Sequence, residues 1–591
     1  MPAKTLVIVE SPAKSTTIQK YLGDDYTIIA SRGHCRDLNK GGKFGIGVLF
    51  NNNKIRPSYV IMPDKKDLID EIINLACKHD TILLATDNDR EGEACSYHLK
   101  EMLASTGKTI KRISFNEISK TALQKALESP RELDMNLVRS QETRRILDRI
   151  VGFTVSPLLM SIFDQNLSAG RVQSVAMRMV VERETDIQNF IPKEYWNVFV
   201  DLEHLNQKFR VKYDGQLNSK SDVDQMTKTL GSTYTVDYVV RKSQKEYAPP
   251  PLTTLIMQQL MSRKHGFDAE RTMQAAQQLY ESGYCTYIRT DSVRITDEAV
   301  QQIRRYIASK NYPLPTKPNQ HEVKEASADS HEAIRCTAVS NEPGTVMLTG
   351  DEKTLYEEIW NHSVASQMMP AVFDTIEVRI DNNGNKFRTS GKALAKKGYL
   401  EILPPNKTFK IDLPDLQKGD VVQFILKTEE QKSTQPPARF SEANLIKELD
   451  SKQIGRPSTM ATILKAIQTR KYVVKNGNVF KPTELGFTVN KILEKHFEFV
   501  KFDYSAKLEK ELDMIAAGKH DYDQVLNDFF SKFSAQLRSA VQHNGKESCD
   551  SCGGLMFLRN GRNGKFLGCS VCRNCKNIEA DIDHSGAPVG A

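Results

Sequence analysis

No stretch of about 18 consecutive apolar residues occurs in the 591-residue sequence, which predicts that no helix crosses a membrane. A secretory leader is not expected either, because the first apolar run, residues 6–9, is short and stops at Glu10. There is no GxxxxGK[ST] phosphate loop, no obvious internal repeat and no long low-complexity segment. Strong charge of one sign is missing: the net charge of +8 is a mild excess that suits an anionic partner without identifying one. Cysteine is sparse over most of the chain, and Cys35, Cys77, Cys95, Cys285 and Cys336 read as reduced thiols of a reducing compartment, so a cytoplasmic setting is expected. What is present, 39% hydrophobic and 26% charged residues, is enough for ordinary cores and excludes a disordered chain. The length predicts about three to five domains.

The first part of the chain alternates short apolar runs with helical patterns, which predicts a parallel α/β sheet. Glu10 ends one predicted strand, and Asp87, Asp89 and Glu91 follow another in ATDNDREGE. Ligands of open α/β sheets bind beyond the carboxyl ends of strands, so these four acids are expected to converge. Carboxylates brought that close repel unless a cation or a shared proton relieves them, and oxygen ligands of this kind suit Mg²⁺. Lys14, just past Glu10, is placed to pair with a phosphate. Farther on, β-type segments flank a helical block that begins after Ala248-Pro249-Pro250-Pro251, which predicts a β domain with a helical domain inserted into it.

The segment GYCTYIRTDS, from Gly283 to Ser292, follows a helical pattern. Were it extended from Tyr284 to Arg289, alternation would put Tyr287 and Arg289 on one face. A phenol is a poor nucleophile at neutral pH, and a guanidinium beside it favours phenolate; the alternative is a buried tyrosine with an ordinary surface arginine. Arg145 and Arg149 share a helix face, and Asp148 stands four residues from Arg144, a pattern equally open to a solvated charged helix. Arg171, Gln173 and Ser174 beside Gly170 suit phosphate contacts or simply a helix start. Gly455-Arg456-Pro457-Ser458-Thr459 reads as a helix start with proline in the first turn, where free N–H groups and hydroxyls make a phosphate site. His331 is the best proton-handling residue outside the acidic cluster, with a structural histidine as the alternative. Near the end, Cys549, Cys552, Cys569, Cys572 and Cys575 form two knuckles around a Gly-containing loop, as in a structural zinc ribbon.

VIVESPAK and ATDNDREGE resemble a Toprim domain, and YIRTDS resembles the active-site segment of the type IA DNA topoisomerases of bacterial type. SRGHCRDL, ETRRILDRIVGF, SAGRVQSVAMRMVVERE, DSHEAIR, LYEEIWNHSVASQMMPA and IGRPSTMATILKAIQTRKYV resemble further blocks of that family, in its order, over nearly the whole chain; Cys336 stands where the family commonly has proline. The resemblance implies a multidomain α/β plus α plus β toroid. Its parts would be a Toprim α/β domain over 1–137, a helical DNA-binding domain over 138–195 and 433–545, a β arch over 196–248 and 373–432, and an inserted helical domain over 249–372. A zinc ribbon over 546–580 and a mobile tail over 581–591 would follow. It implies an ATP-independent, monomeric enzyme acting on single-stranded, negatively supercoiled DNA, with Tyr287 as nucleophile and Arg289, Glu10, Lys14 and His331 as catalytic partners. Mg²⁺ would be held by Glu10, Asp87, Asp89 and Glu91. DNA contacts are expected from His34, Arg144, Arg145, Asp148, Arg149, Arg171, Gln173, Ser174, Arg335, Arg456, Ser458 and Thr459. The family's usual spacing favours Cys549, Cys552, Cys569 and Cys575 for zinc, with Cys572 as substitute. A decatenating relative, a Toprim nuclease or primase, and a non-catalytic scaffold remain as other readings.

Overall fold

The computed structural model describes residues 5–40, 46–51, 54–163, 165–321, 331–456 and 459–543, together with the strands Met556–Gly561, Gly564–Cys569 and Ile578–Ala580. The expected α/β layer is present. Four parallel strands lie in the order Tyr26–Ala30, Thr5–Val9, Thr81–Ala85, Thr109–Arg112. A parallel sheet buried on both faces reads as unbroken apolar runs, which is why LVIV and ILLA carry no alternation. Leu6, Ile8, Ile82 and Leu84 pack on Ile69, Ile72, Leu99 and Leu103 of the helices Lys66–Cys77 and Arg90–Leu103. Val7, Val9, Leu83 and Ala85 face the opposite way, into a core that runs on through Leu279, Tyr280, Tyr287 and Ile288. One face of this sheet is thus closed by a segment from far downstream.

The expected β arch is a closed barrel. Six strands follow one another in the order Gln207–Tyr213, Asn385–Lys396, Ala371–Asn382, Tyr234–Glu246, Val421–Ser433, Glu194–His204, each antiparallel to its neighbours. Closure leaves no unpaired sheet edge. The helices Thr254–His265, Ala269–Glu281, Asp297–Ser309 and Gly350–Ala365 lie between Glu246 and Ala371, which are paired with each other. The insertion therefore leaves and rejoins the barrel at one place.

A helical region centres on the 29-residue helix Met135–Phe163, packed on Arg90–Leu103, Phe502–Ala516 and Tyr522–His543. By length and composition this helix is apolar enough to cross a membrane, which the sequence reading did not anticipate, but 61% of its apolar window is buried inside the protein. It is a core helix. Met556–Gly561, Gly564–Cys569 and Ile578–Ala580 form a three-stranded antiparallel sheet; Cys549, Cys552, Cys572 and Cys575 lie outside the described residues. The five scattered cysteines are free thiols.

Candidate active site

Glu10 and Asp87 stand just beyond the carboxyl ends of two paired strands, where Val9 is opposite Ala85. The backbone turns at once into helices. Ser11 caps Pro12–Leu22 by accepting from the Lys14 N–H, with Pro12 in the first turn, so Lys14 is set close to the acids. Asp89 caps Arg90–Leu103: its Oδ1 accepts from the Gly92 N–H at 2.8 Å, leaving Oδ2 free for other partners. Gly92 permits this turn, because a Cβ there would stand 2.1 Å from the Asp87 carbonyl oxygen. The Asp87 N–H donates to Glu10 Oε2 at 3.3 Å, and the buried Lys14 ammonium donates to Asp87 Oδ1 while lying 4.8 Å over the Tyr280 ring. Burial, followed by the charge of Asp87, pushes the Glu10 carboxyl up to about 7, with Lys14 acting against them and Asp89 adding to them. Three crowded carboxylates repel one another, and in this conformation the Lys14 ammonium answers Asp87; among the described residues no group of three or more potential ligands is gathered closely enough to hold a metal ion.

Glu91, the fourth expected acid, turns away from this group. It accepts from Gln141 Nε2 at 2.9 Å and lies 3.4 Å from His34 Nε2. Burial opposes its charge, yet His34 and Arg144 hold its carboxyl down to about 2.

Gly283 follows the helix Ala269–Glu281 with φ +80°, and a Cβ at this position would meet the Ile118 carbonyl oxygen at 2.7 Å. Glycine is required twice over, for the turn and for the close approach to the α/β layer. The residues beyond it do not form the extended strand considered above; only Cys285 makes a bridge, to Cys336, and the chain then bends. Tyr287 and Arg289 still converge, both on Asp89. The buried Tyr287 donates its hydroxyl to Asp89 Oδ2 at 2.6 Å and its N–H to the Asn116 carbonyl at 2.6 Å; Arg289 Nη1 lies 3.7 Å from Asp89 Oδ2. The sequence reading expected Arg289 to draw the phenol toward phenolate. Burial and the charges of Asp89 and Asp87 outweigh it, and the phenol is held well above its ordinary value. His331 Nε2 donates to the Asn88 carbonyl at 2.6 Å, with its ring edge-on to Tyr287 at 6.1 Å.

Each expected DNA-contacting residue that is described has a partner within the protein. Arg145 and Arg149 share Asp37, at 2.5 and 2.9 Å, and Arg149 lies over the half-exposed Phe153 ring. Arg144 donates to Thr459 Oγ1 at 3.3 Å, 3.9 Å from Asp148. Gln173 donates to the Ser168 carbonyl, and Ser174 is buried in the helix Arg171–Gln188. Arg171 is also buried, held by Asp148 at 2.9 Å and Glu509 at 2.6 Å, so in this conformation it faces carboxylates and not a groove. Arg456 binds Asp513, which also accepts from Arg90 at 2.8 Å. Helix Met460–Thr469 starts after Thr459, later than the proline placement anticipated; Ser458 lies outside the described residues. Arg335 is buried between Glu332 and Glu117. Asn88, Asn116, Glu117, Glu509 and Asp513 were not singled out in the sequence. Glu509 and Asp513 carried a signal: two acids four apart among the apolar positions Leu508, Leu512 and Ile515 of one helix, where only basic partners make burial tolerable.

Two family models match the chain: one described as DNA topoisomerase, over residues 132–527, and the Toprim domain, over residues 5–118. The fold is similar to that of the full-length topoisomerase I of Thermotoga maritima, solved in a monoclinic crystal form, with 30% sequence identity, 99% of each chain covered and a TM-score of 0.81. The match extends through the tyrosine segment and both halves of the barrel, which a nuclease or primase sharing only Toprim would not require. The chain belongs to the bacterial-type, type IA DNA topoisomerases.

Proposed function

We propose that Tyr287 is the nucleophile with which this topoisomerase opens one strand of single-stranded DNA, passes another strand and reseals the break, relaxing negative supercoils without ATP. The observation that carries the reading is the hydrogen bond from the Tyr287 hydroxyl to Asp89, which sets the phenol beside Arg289 and His331 and near Asp87, the residue that Lys14 and Glu10 contact. The Tyr287 oxygen attacks a backbone phosphorus, forming a 5′-phosphotyrosyl ester and expelling the 3′-oxygen; resealing is the reverse transesterification, so ester energy is retained. Asp89 receives the phenol hydrogen bond and is the group to which that proton moves. Glu10, with its carboxyl near 7, protonates the departing 3′-oxygen and takes the proton back on resealing. Arg289 and Lys14 offset charge on the phosphoryl oxygens, and His331 is a second proton-handling group held by Asn88. Mg²⁺ suits Glu10, Asp87 and Asp89, with Glu91 as a fourth carboxylate if it leaves Gln141; when bound it supplies charge neutralisation during strand holding and resealing. His34, Arg144, Arg145, Arg149, Gln173, Arg456 and Thr459 line the path of the strand, while Asp148, Arg171 and Ser174 support it; Ser458, outside the described residues, is assigned to DNA contact by the family resemblance alone.

The inserted helical domain lifts from the Toprim domain, turning on the barrel, to admit a strand. A structural zinc on Cys549, Cys552, Cys569 and Cys575, with Cys572 as substitute, fits the hairpin lying between the two knuckles. The protein acts as a monomer on DNA in the cytoplasm. The test is covalent trapping: 3′-labelled single-stranded DNA is incubated with wild type and with Tyr287→Phe, quenched with denaturant and run on a denaturing gel. Label is expected with wild-type protein only; label on both proteins moves the nucleophile elsewhere.

A further inference from the structure

The Toprim domain and the inserted helical domain share an apolar core and several polar contacts, among them Thr17 Oγ1 to the Glu281 carbonyl at 2.8 Å. Tyr287 with Asp89, and His331 with Asn88, lie where the reacting phosphate must enter, so bound DNA competes for them. Away from the reacting groups, Arg335 Nη2 donates to Glu117 Oε2 at 2.9 Å. Both partners are shielded, with side chains 6% and 19% exposed, whereas the Lys125–Glu298 pair on the same boundary is 64% and 69% exposed and contributes little.

Each half of the buried pair is also held on its own side. Arg335 donates to Glu332 through Nε at 2.6 Å and Nη2 at 3.0 Å, and to the Cys336 carbonyl through Nη1 at 3.0 Å. Glu332 is fixed in turn by the Thr296 N–H at 2.9 Å. Across the boundary, Glu117 Oε1 accepts from Ser119 Oγ at 2.7 Å, and Ser119 caps the helix Lys120–Glu128. At this pair, parting the domains therefore breaks one charge-assisted hydrogen bond without stranding a bare buried charge, which is what would make a buried ion pair irreversible. Glu117 also lies in the edge that carries the other close approaches: Asn116 receives the Tyr287 N–H, and Ile118 abuts Gly283.

We propose that Glu117 and Arg335 form the latch of the DNA gate, a pair of positioning residues that sets how readily the inserted domain lifts after cleavage. This rests on the strand-passage reading above. Arg335 then serves gate closure and not DNA contact.

The test stretches single-stranded DNA in magnetic tweezers with the full-length protein and Mg²⁺, where extension steps report gate opening on cleaved DNA. For Glu117→Ala the open fraction at fixed force is expected to rise about tenfold, the worth of one charge-assisted hydrogen bond. Glu117→Gln is expected to rise less, since its amide oxygen still accepts from one side. Covalent trapping and single-strand affinity are expected to match wild type for both, and Ser119→Ala, which removes the helix cap and Glu117's own-side hydrogen bond but leaves the pair across the boundary, is expected to open as wild type does. Open fractions within about fivefold of wild type for both Glu117 variants, the range of an exposed surface pair, overturn the latch. So does a Ser119→Ala effect equal to that of Glu117→Ala. Absence of extension steps in the wild type, despite normal trapping, overturns the strand-passage reading and the latch with it.

Discussion

Glu509 is a carboxylate with no exposure that nevertheless stays ionised. Burial works against its charge, but Arg171, Arg144 and Arg456 hold its carboxyl down to about 2 from an ordinary value near 4.5. A depressed carboxyl stabilises the fold fully above its unfolded value and ceases to do so as the pH falls toward its folded value. The window is therefore from about pH 4.5 down to about pH 2. Glu509→Gln is expected to flatten the fall in melting temperature across that window, measured by thermal melts in a buffer series. Arg171→Met tests the other half of the pair: Arg171 Nη1 bonds Glu509 at 2.6 Å, while Arg456 stands 3.8 Å away. Leaving a buried carboxylate so poorly paired is expected to cost about 3–5 kcal/mol, read by urea unfolding at neutral pH. The sequence marked Arg171 as a DNA contact because an arginine beside a glycine at a helix start looks like a phosphate site; which carboxylate answers it is set by a helix more than half the chain away.

The turn at Gly283 joins two elements that must fit at once: the helix Ala269–Glu281 behind it and the Toprim edge at Ile118 before it. Gly283→Ala puts a side chain into the left-handed region, at a cost of about 1–2 kcal/mol, and its Cβ meets the Ile118 carbonyl at 2.7 Å. The clash moves Tyr287 relative to Asp89, four residues downstream of the turn. Covalent trapping is expected to fall by about tenfold or more, with a lowered melting temperature, whereas Gly107→Ala, also at positive φ but with open space around it, is expected to lose stability alone. Elements built from local signals were legible. The strand ends bearing Glu10 and Asp87 and the break at Gly283 follow from neighbouring residues, whereas the caps at Ser11 and Asp89 emerged only with the structure. Closure of the barrel was not, because Gln207–Tyr213 meets Asn385–Lys396 through only two residue pairs, and nothing local announces so distant a pairing. Nor was the turn of Glu91 toward His34 and Gln141, since a DxDxE run does not say which acid faces the helix beneath it.

Over the whole molecule, the inserted domain is anchored at one place on the barrel, where Glu246 pairs with Ala371, and it rests against the Toprim sheet through a shared apolar core and a few polar contacts. In the proposed mechanism cleavage needs that contact, because Tyr287 belongs to one side and Asp89 to the other. Strand passage needs its release. The two steps should therefore separate when the domains are tied together. Lys125 and Glu298 face each other across the boundary at 3.0 Å, exposed and away from Tyr287, so tying them disturbs no catalytic group. Lys125→Cys with Glu298→Cys, in a background where the exposed Cys77 is serine, places two thiols within reach of a short reducible bis-thiosulfonate linker, with the Cys77→Ser protein carrying its five C-terminal cysteines as the linker-treated control. The linked protein is expected to trap labelled single-stranded DNA as well as the unlinked protein does, and to leave negatively supercoiled plasmid unrelaxed. Dithiothreitol is expected to restore relaxation. Relaxation undiminished by the link would mean that the strand passes by some route other than this boundary, and loss of trapping would mean that cleavage itself requires the domains to move. The second alternative conflicts with a hydroxyl already seated on Asp89 in the closed protein, and the first with a gate at this boundary.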